Sequence, residues 1–342
     1  MLYRYPSYCE KFSCIADKCK DNCCIGWEID IDSDTLYYYK SISGDFGKRL
    51  STNISDGCFV LAEDERCPFL NDNNLCDIIL ELGEEHICQI CTDHPRYYEW
   101  FGTVKEGGIG LCCEEAARVI LSEDHVMTVK EIPDEDCNGC DDALYRLLLS
   151  ARDTIIGHLQ KEDLIGSICA MLDFAEELQS RMDNDDLTLP EYKRVTESGT
   201  ADIRGILHFF TTLEPIDGSW LPYINHCTEL VHEIPNIQRE HEPYLRRIAV
   251  YFIFRYFMKG VYDGEILSRV KLAAVSTWMT GYLWRCKLYE KGSLSFEDMA
   301  ETAGFYSKEV EYSEENLDSL ADAFYTEEYF STSRIMGAFE GS

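Results

Sequence analysis

Seventeen cysteines, very unevenly placed, constrain this chain more than any other feature. Fourteen lie before Asp141, and Cys169, Cys227 and Cys286 follow singly. An odd number cannot pair completely. The opening Met1-Leu2-Tyr3-Arg4-Tyr5-Pro6-Ser7-Tyr8 shows no apolar run followed by a small-residue cleavage site, so a reducing, cytoplasmic setting is expected. Disulfides are then the weaker explanation. Free cysteine packs well as a small hydrophobe, which suffices for the three scattered residues. It gives no reason for the others to cluster.

The clustered residues run Cys14, Cys19, Cys23-Cys24, Cys67, Cys76, Cys88, Cys91 and Cys112-Cys113. Thiolates are soft ligands that select zinc or iron-sulfur centres, and four of them complete a tetrahedral zinc site or a cubane. Adjacent cysteines point in different directions, so Cys23 and Cys24 are expected to serve different roles, which leaves one metal site or two. Cys137-Asn138-Gly139-Cys140 is a separate pair around a turn, suited to a metal knuckle. The eight histidines show no paired metal spacing; His86 and His94 are minor ligand candidates, and His208 and His226 read as ordinary hydrogen-bonded residues.

Up to about Cys113, short apolar runs alternate with Asp, Asn and Gly, as in a small domain organised by its ligands. A helix start is expected at Ser33-Asp34. A turn over Asn71-Asp72-Asn73-Asn74 should draw Cys67 and Cys76 together, Leu82-Gly83 should end a short helix, and a second through Cys88 and Cys91 should stop before Pro95. After Cys140 apolar residues recur at spacings of three and four, beginning with Leu144, Leu147, Leu148, Ala151, Ile155 and Leu159. Further helices are expected near 164–182, 200–213, 221–234, 243–260, 264–288, 294–304 and 314–326, with a polar linker at 183–186 and breaks at Pro190, Pro215 and Pro235. The expected fold is mainly α: an irregular cysteine-rich metal-binding module over 1–135, then an all-helical domain over 136–342.

Lys plus Arg number 31 against 63 Asp plus Glu, a formal charge of −32. Such a surface repels a polyphosphate backbone, so no nucleic-acid partner is expected, while a lysine-bearing protein would be attracted. Hydrophobic residues make up 45% of the chain, enough for a substantial core. The most apolar stretch, from Ile248 to Lys259, carries Arg255 and Lys259 and falls short of the roughly 20 residues a membrane span needs. It reads as a buried helix, and no membrane partner is expected.

Phe12-Ser13-Cys14, Cys19, Cys23-Cys24-Ile25-Gly26-Trp27, Ile31-Asp32, Cys67-Pro68-Phe69-Leu70, Leu75-Cys76, Leu82-Gly83-Glu84, Cys91 before Pro95-Arg96, and Cys113-Glu114-Glu115-Ala116 together resemble the flagellin lysine-N-methylase family. Over its cysteine module that family is similar to small proteins described as zinc- or iron-chelating. The helical remainder matches loosely, chiefly at Tyr251-Phe252-Ile253-Phe254-Arg255-Tyr256-Phe257. The resemblance implies that Cys14, Cys19, Cys23, Cys24, Cys67, Cys76, Cys91 and Cys113 are the family's eight cysteines. It also implies a [4Fe-4S] cluster among them, S-adenosylmethionine as methyl donor, and methylation of lysine on flagellin or another lysine-bearing protein. His94-Pro95-Arg96 replaces the family's usual Tyr-Pro-Arg, Glu114 stands where a proline is usual, and Cys88, Cys112, Cys137 and Cys140 are additions. Arg96 is a candidate clamp for the donor's carboxylate and Trp27 for its sulfonium, with Tyr97, Tyr98 and Trp100 nearby. The alternative is a non-catalytic iron- or zinc-binding protein that chelates or senses metal.

Glu106-Gly107-Gly108-Ile109-Gly110 imitates part of a nucleotide-binding turn. Thr103 and Lys105 interrupt the preceding strand, Cys113 stands where a third spaced glycine belongs, and no strand-helix alternation follows. The three-cysteine loop of radical enzymes is absent too, because Gly26 stands at the position it requires.

Overall fold

A computed structural model describes residues 1–340 apart from 21, 64, 135–138, 141, 194–197 and 237. Cys137, and with it the expected 137–140 pair, lies outside the described residues. The periodic second half is helical: α6 (Asp142–Lys161), α7 (Leu164–Asp183), α8 (Ile203–Phe210), α9 (Trp220–Glu229), α10 (Glu242–Tyr256), α11 (Gly260–Asp263), α12 (Leu267–Lys291), α13 (Phe296–Glu311), α14 (Glu314–Thr326) and α15 (Thr332–Glu340). The helix expected over 294–304 runs on to Glu311, held at its start by a capping box between Ser295 and Asp298. The final helix was not expected, because its apolar residues fill less than three turns. α12 is buried on nearly every side and carries no amphipathic stripe, as a central helix must. Its Thr277 and Thr280 hydroxyls donate to the carbonyls one turn back, and Lys271 reaches the Phe324 carbonyl at 2.7 Å, so these polar groups on a buried helix are satisfied. α10 contains the Ile248–Tyr256 stretch and is buried as expected. Among the described residues no helix is long and apolar enough to cross a membrane.

The first third holds α1 (Ser33–Ser41), α2 (Gly44–Thr52), α3 (Asp77–Leu82), α4 (Gln89–Asp93) and α5 (Glu114–Ser122), with the short antiparallel pair β2 (Ile54–Ser55) and β3 (Cys58–Phe59). The cap of α1 is Asp32, one residue earlier than expected; its carboxylate also accepts the Gln89 amide at the start of α4. Contrary to the irregular module expected, this region contains a four-stranded mixed sheet in the order β4 (Arg96–Phe101), β5 (Val104–Ile109), β1 (Leu2–Pro6), β6 (Met127–Glu131). β1 runs parallel to β5 and antiparallel to β6. β4 and β5 form a local hairpin, but β1 finds both its partners more than a hundred residues along the chain, so no local signal announces that pairing.

The glycines imitating a nucleotide-binding turn lie in and just after β5. Aromatic rings fold over this strand: a Cβ on Gly107 would meet the Tyr3 hydroxyl at 2.6 Å and one on Gly108 the Tyr97 hydroxyl at 2.3 Å. They are glycine to admit tyrosines, not phosphate.

Two apolar cores follow. One gathers Ile29, Ile31, Tyr39, Leu50, Phe59, Cys67, Phe69, Leu70, Ile78 and Cys88. The other joins the helical bundle to Tyr8, Phe101, Ile109, Leu111 and the inner face of α5. A buried ion pair ties sheet to bundle, with Arg152 of α6 gripping Glu106 of β5 through two hydrogen bonds of 2.5 and 2.6 Å. Replacing Arg152 by Met should cost about 3–5 kcal/mol, because Glu106 would be left with the longer Arg4 contact at 3.4 Å, and adding Glu106→Met should recover part of that loss in chemical denaturation. His125 packs between Tyr8 and Phe254, where burial, reinforced by the Arg152 charge, pushes it down to about 4. Its folded value lies below the unfolded one, so its contribution of up to about 3 kcal/mol is complete above roughly pH 6.5 and fades between there and pH 4. Denaturation midpoints across that window should fall more steeply for the parent than for His125→Gln; parallel curves rule out the assignment.

Candidate functional site

The expected turn forms: Asn71 Oδ1 accepts the Asn73 and Leu75 amides, Asn74 takes a positive φ of 56°, and Leu70 bridges to Cys76. This brings Cys76 back toward Cys67. The Cys67 amide in turn donates to the Cys24 carbonyl at 2.8 Å, drawing in the Cys23-Cys24 turn. Cys88 caps α4 and Cys91 lies one turn on, so their sulfurs meet at 3.3 Å.

Electrostatics divides the thiols. Cys24 is raised far above its ordinary value, first by its hydrogen bond with Cys23, then by burial and by the charges of Cys67 and Cys76. Cys67 is pushed up to about 11 by burial, with Cys76 and Cys88 adding to the rise, and Cys91 is raised by its bond with Cys88, by burial and by Cys24 and Cys67. Cys88, the partner in that bond, is lowered by it, and pairwise charges link Cys24, Cys67, Cys76, Cys88 and Cys91 into one group. Cys23 goes the opposite way, to about 5, because Cys24 and then His94 hydrogen-bond to it against the cost of burial. Burial disfavours a charged His94, yet hydrogen bonds to Cys113 and Cys23 hold it at about 9. Cys14 feels the charges of Cys23 and Cys113. Adjacent in sequence, Cys23 and Cys24 have different company. Among the described residues no three Cys, His, Asp or Glu side chains stand close enough to enclose a single metal ion.

The Cys23 side of this arrangement abuts the bundle. Trp27 meets Tyr312 edge to face with ring centres 5.2 Å apart, Lys308 lies 5.8 Å over Trp27, and the His94 ring is 6.4 Å from Tyr312. Behind Tyr312 lies the Arg255 guanidinium, 4.6 Å from the Tyr97 ring centre, 5.3 Å from Tyr256 and 5.7 Å from Tyr312. Its Nη1 donates to the Tyr251 hydroxyl at 2.5 Å and pairs with Glu311 at 3.0 Å. Glu311 also accepts from Tyr251 and Tyr256 at 2.9 Å each and from Ser307 at 2.5 Å. Burial raises Tyr97, Tyr251 and Tyr256 well above the ordinary phenol value, so they stay neutral.

Strand alternation separates the aromatic candidates. Tyr97 faces Arg255, whereas Tyr98 and Trp100 face outward and flank the Lys105 ammonium at 4.5 and 4.8 Å. Arg96 lies over Phe12 at 5.2 Å while Trp27 is with Tyr312 and Lys308, so these two candidates have different neighbours. Cys19 follows a short helical turn at 16–18. Sequence reasoning missed Glu311 and Tyr312, which fall between the helices expected over 294–304 and 314–326 and come into the site because the first of these runs on to Glu311.

Residues 152–337 match the family model described as the FliB lysine N-methylase C-terminal domain, more than half of the chain. The chain belongs to the FliB lysine N-methylase family. The match falls on the helical half, where sequence reading found only a loose likeness. Among curated relatives, the lysine-N-methylases of Salmonella typhimurium and Salmonella choleraesuis are each 26% identical over 136 residues, 37% of this chain and 34% of theirs. The flagellar biosynthetic protein FliU of Salmonella muenchen is 26% identical over 139 residues, 37% of this chain and 80% of that protein. The chain thus spans about a third of the length of the first two. No solved structure matches it.

Gly110 sits where the cysteine-bearing segment meets the bundle. A Cβ there would approach the Tyr312 hydroxyl to 2.5 Å and Arg255 Nη1 to 3.3 Å. Gly110→Ala should therefore cost about 1–3 kcal/mol by overpacking, measurable as a lowered melting midpoint; an unchanged midpoint would mean that this contact is loose.

Proposed function

We propose that the chain is a cytoplasmic protein-lysine N-methyltransferase acting on flagellin or another lysine-bearing protein, with S-adenosylmethionine as methyl donor and a [4Fe-4S] cluster. The match of residues 152–337 to a lysine N-methylase domain carries the reading. The relatives' names, lysine-N-methylase and flagellar biosynthetic protein, support the reaction and the acceptor. The surplus of 32 negative charges suits a basic side chain as substrate.

The donor set suits the cluster, which takes four thiolates and spans more space than a single ion. Cys24, Cys67, Cys76 and Cys91 are the four proposed to hold it, with zinc as the alternative metal for the same ligands. Cys14, Cys23 and Cys113 stand with His94 as further proposed ligands, and Cys19 completes the eight. Arg96 is proposed to pair with the donor's carboxylate and Trp27 to offer its ring face to the sulfonium.

When bound, the donor supplies an electrophilic methyl group. The chain must present an unprotonated amine, and at pH 7 removing the proton from a lysine of pKa near 10.4 costs about 4–5 kcal/mol. Desolvation among aromatic rings reduces that cost, as the setting of Trp27 and Tyr312 would provide. With the donor held there, the amine lone pair would take the methyl group from the sulfonium, and the surplus proton would leave to a carboxylate or water.

Mass spectrometry of flagellin co-expressed with this protein should show lysines heavier by whole methyl units, and loss of that shift in Cys24→Ser. Unmodified flagellin, together with a colourless zinc-loaded protein that does not bind the donor, would replace the enzyme by the metal-chelating alternative.

A further inference from the structure

The segment bearing Cys112 and Cys113 is held from the bundle side by an unusual amount of buried polar structure. Between β5 and α5 the chain turns through Gly110, Leu111 and Cys112, with the Gly110 amide donating to the Pro95 carbonyl at 2.7 Å. The Leu111 amide donates to the Tyr251 hydroxyl at 3.1 Å, and Cys112 hydrogen-bonds the Tyr312 hydroxyl. Tyr251 and Tyr312 converge on one group. Arg255, with 12% of its side chain exposed, donates to Tyr251, pairs with Glu311 and lies beneath the Tyr312 ring. On its other side Tyr312 touches Trp27 and approaches His94, the residue bonded to Cys23 and Cys113.

An arginine buried this way has a cost. Four tyrosine rings and a carboxylate surround it, and two of those tyrosines, Tyr251 and Tyr312, reach the turn at Leu111 and Cys112. A plain apolar contact would join turn to bundle without the desolvation penalty, but it would not fix direction; a planar guanidinium among hydroxyls does.

We propose that Arg255 is a positioning residue through which the helical bundle sets the Cys112–Cys113 turn, and with it His94 and Trp27, beside the thiols. It touches no reacting atom. The proposal rests on the reading that Cys113 belongs to the working cysteine group, but its test reads thiols directly and does not depend on methyl transfer.

Full-length Arg255→Lys, Arg255→Met and Tyr312→Phe should be purified anaerobically, and each cysteine's rate of iodoacetamide alkylation followed by peptide mass spectrometry in the folded protein. Arg255→Met should speed Cys112, Cys113 and Cys23 several-fold while Cys169, Cys227 and Cys286, buried elsewhere in the bundle, keep the parent rate. Arg255→Lys should fall between, keeping the charge but losing the fork. Tyr312→Phe, the mildest change, tests the link if Arg255 variants do not fold, and should speed Cys112 most. A uniform rise of all cysteines would mark Arg255 as a merely structural residue, and unchanged rates at Cys112 and Cys113 would overturn the proposal. Should the pattern appear in a protein that leaves flagellin unmethylated, the positioning role stands and the enzyme reading fails.

Discussion

A charge taken out of water has to be matched, and two arginine-carboxylate pairs sit where the first third of the chain meets the helical bundle. Arg152 and Glu106 join α6 to β5, and Arg255 and Glu311 bridge α10 and α13 behind the turn that leads into α5. The apolar core continues across the same joint, since Ile109, Leu111 and Ala117 pack with Tyr251 and Tyr306 of the bundle. Apolar contact supplies adhesion, while the buried pairs demand one relative placement. The sheet is therefore an outer layer of the bundle's own core.

That joint lends the thiols two different surroundings. Cys24, Cys67, Cys76, Cys88 and Cys91 lie with a small core of their own, away from the bundle. Cys23, Cys113 and His94 lie toward Tyr312 and Trp27, where a positive imidazole and a depressed thiol favour each other's charged forms. An amine acceptor approaching from the bundle side would meet aromatic faces, and the acidic exterior would favour its arrival. The proposed methyl transfer joins these surroundings into one reaction.

Much of the helical half was readable because a 3.6-residue period survives any tertiary context that buries one face, and α6, α7 and α14 follow it. The Asn71–Asn74 turn was readable for a similar local reason, as an Asn side chain hydrogen-bonds its own backbone. The sheet was not readable. β1 has only five residues and finds partners near residues 104 and 131, and β5 contains two glycines that normally weaken a strand. Those glycines make sense only with Tyr3, Tyr97 and Tyr98 laid across them.

By itself the sequence determined that cysteines are concentrated in the first third, that a helical body follows, and that the chain is strongly acidic, because composition, period and charge are local properties. Only the tertiary structure decided which thiols become neighbours, that Tyr97 turns inward while Tyr98 and Trp100 turn out, and that Arg255, Glu311 and Tyr312 gather behind Cys113. Those outcomes depend on contacts between segments far apart in the chain, and on burial deciding which charged or polar group must find a partner.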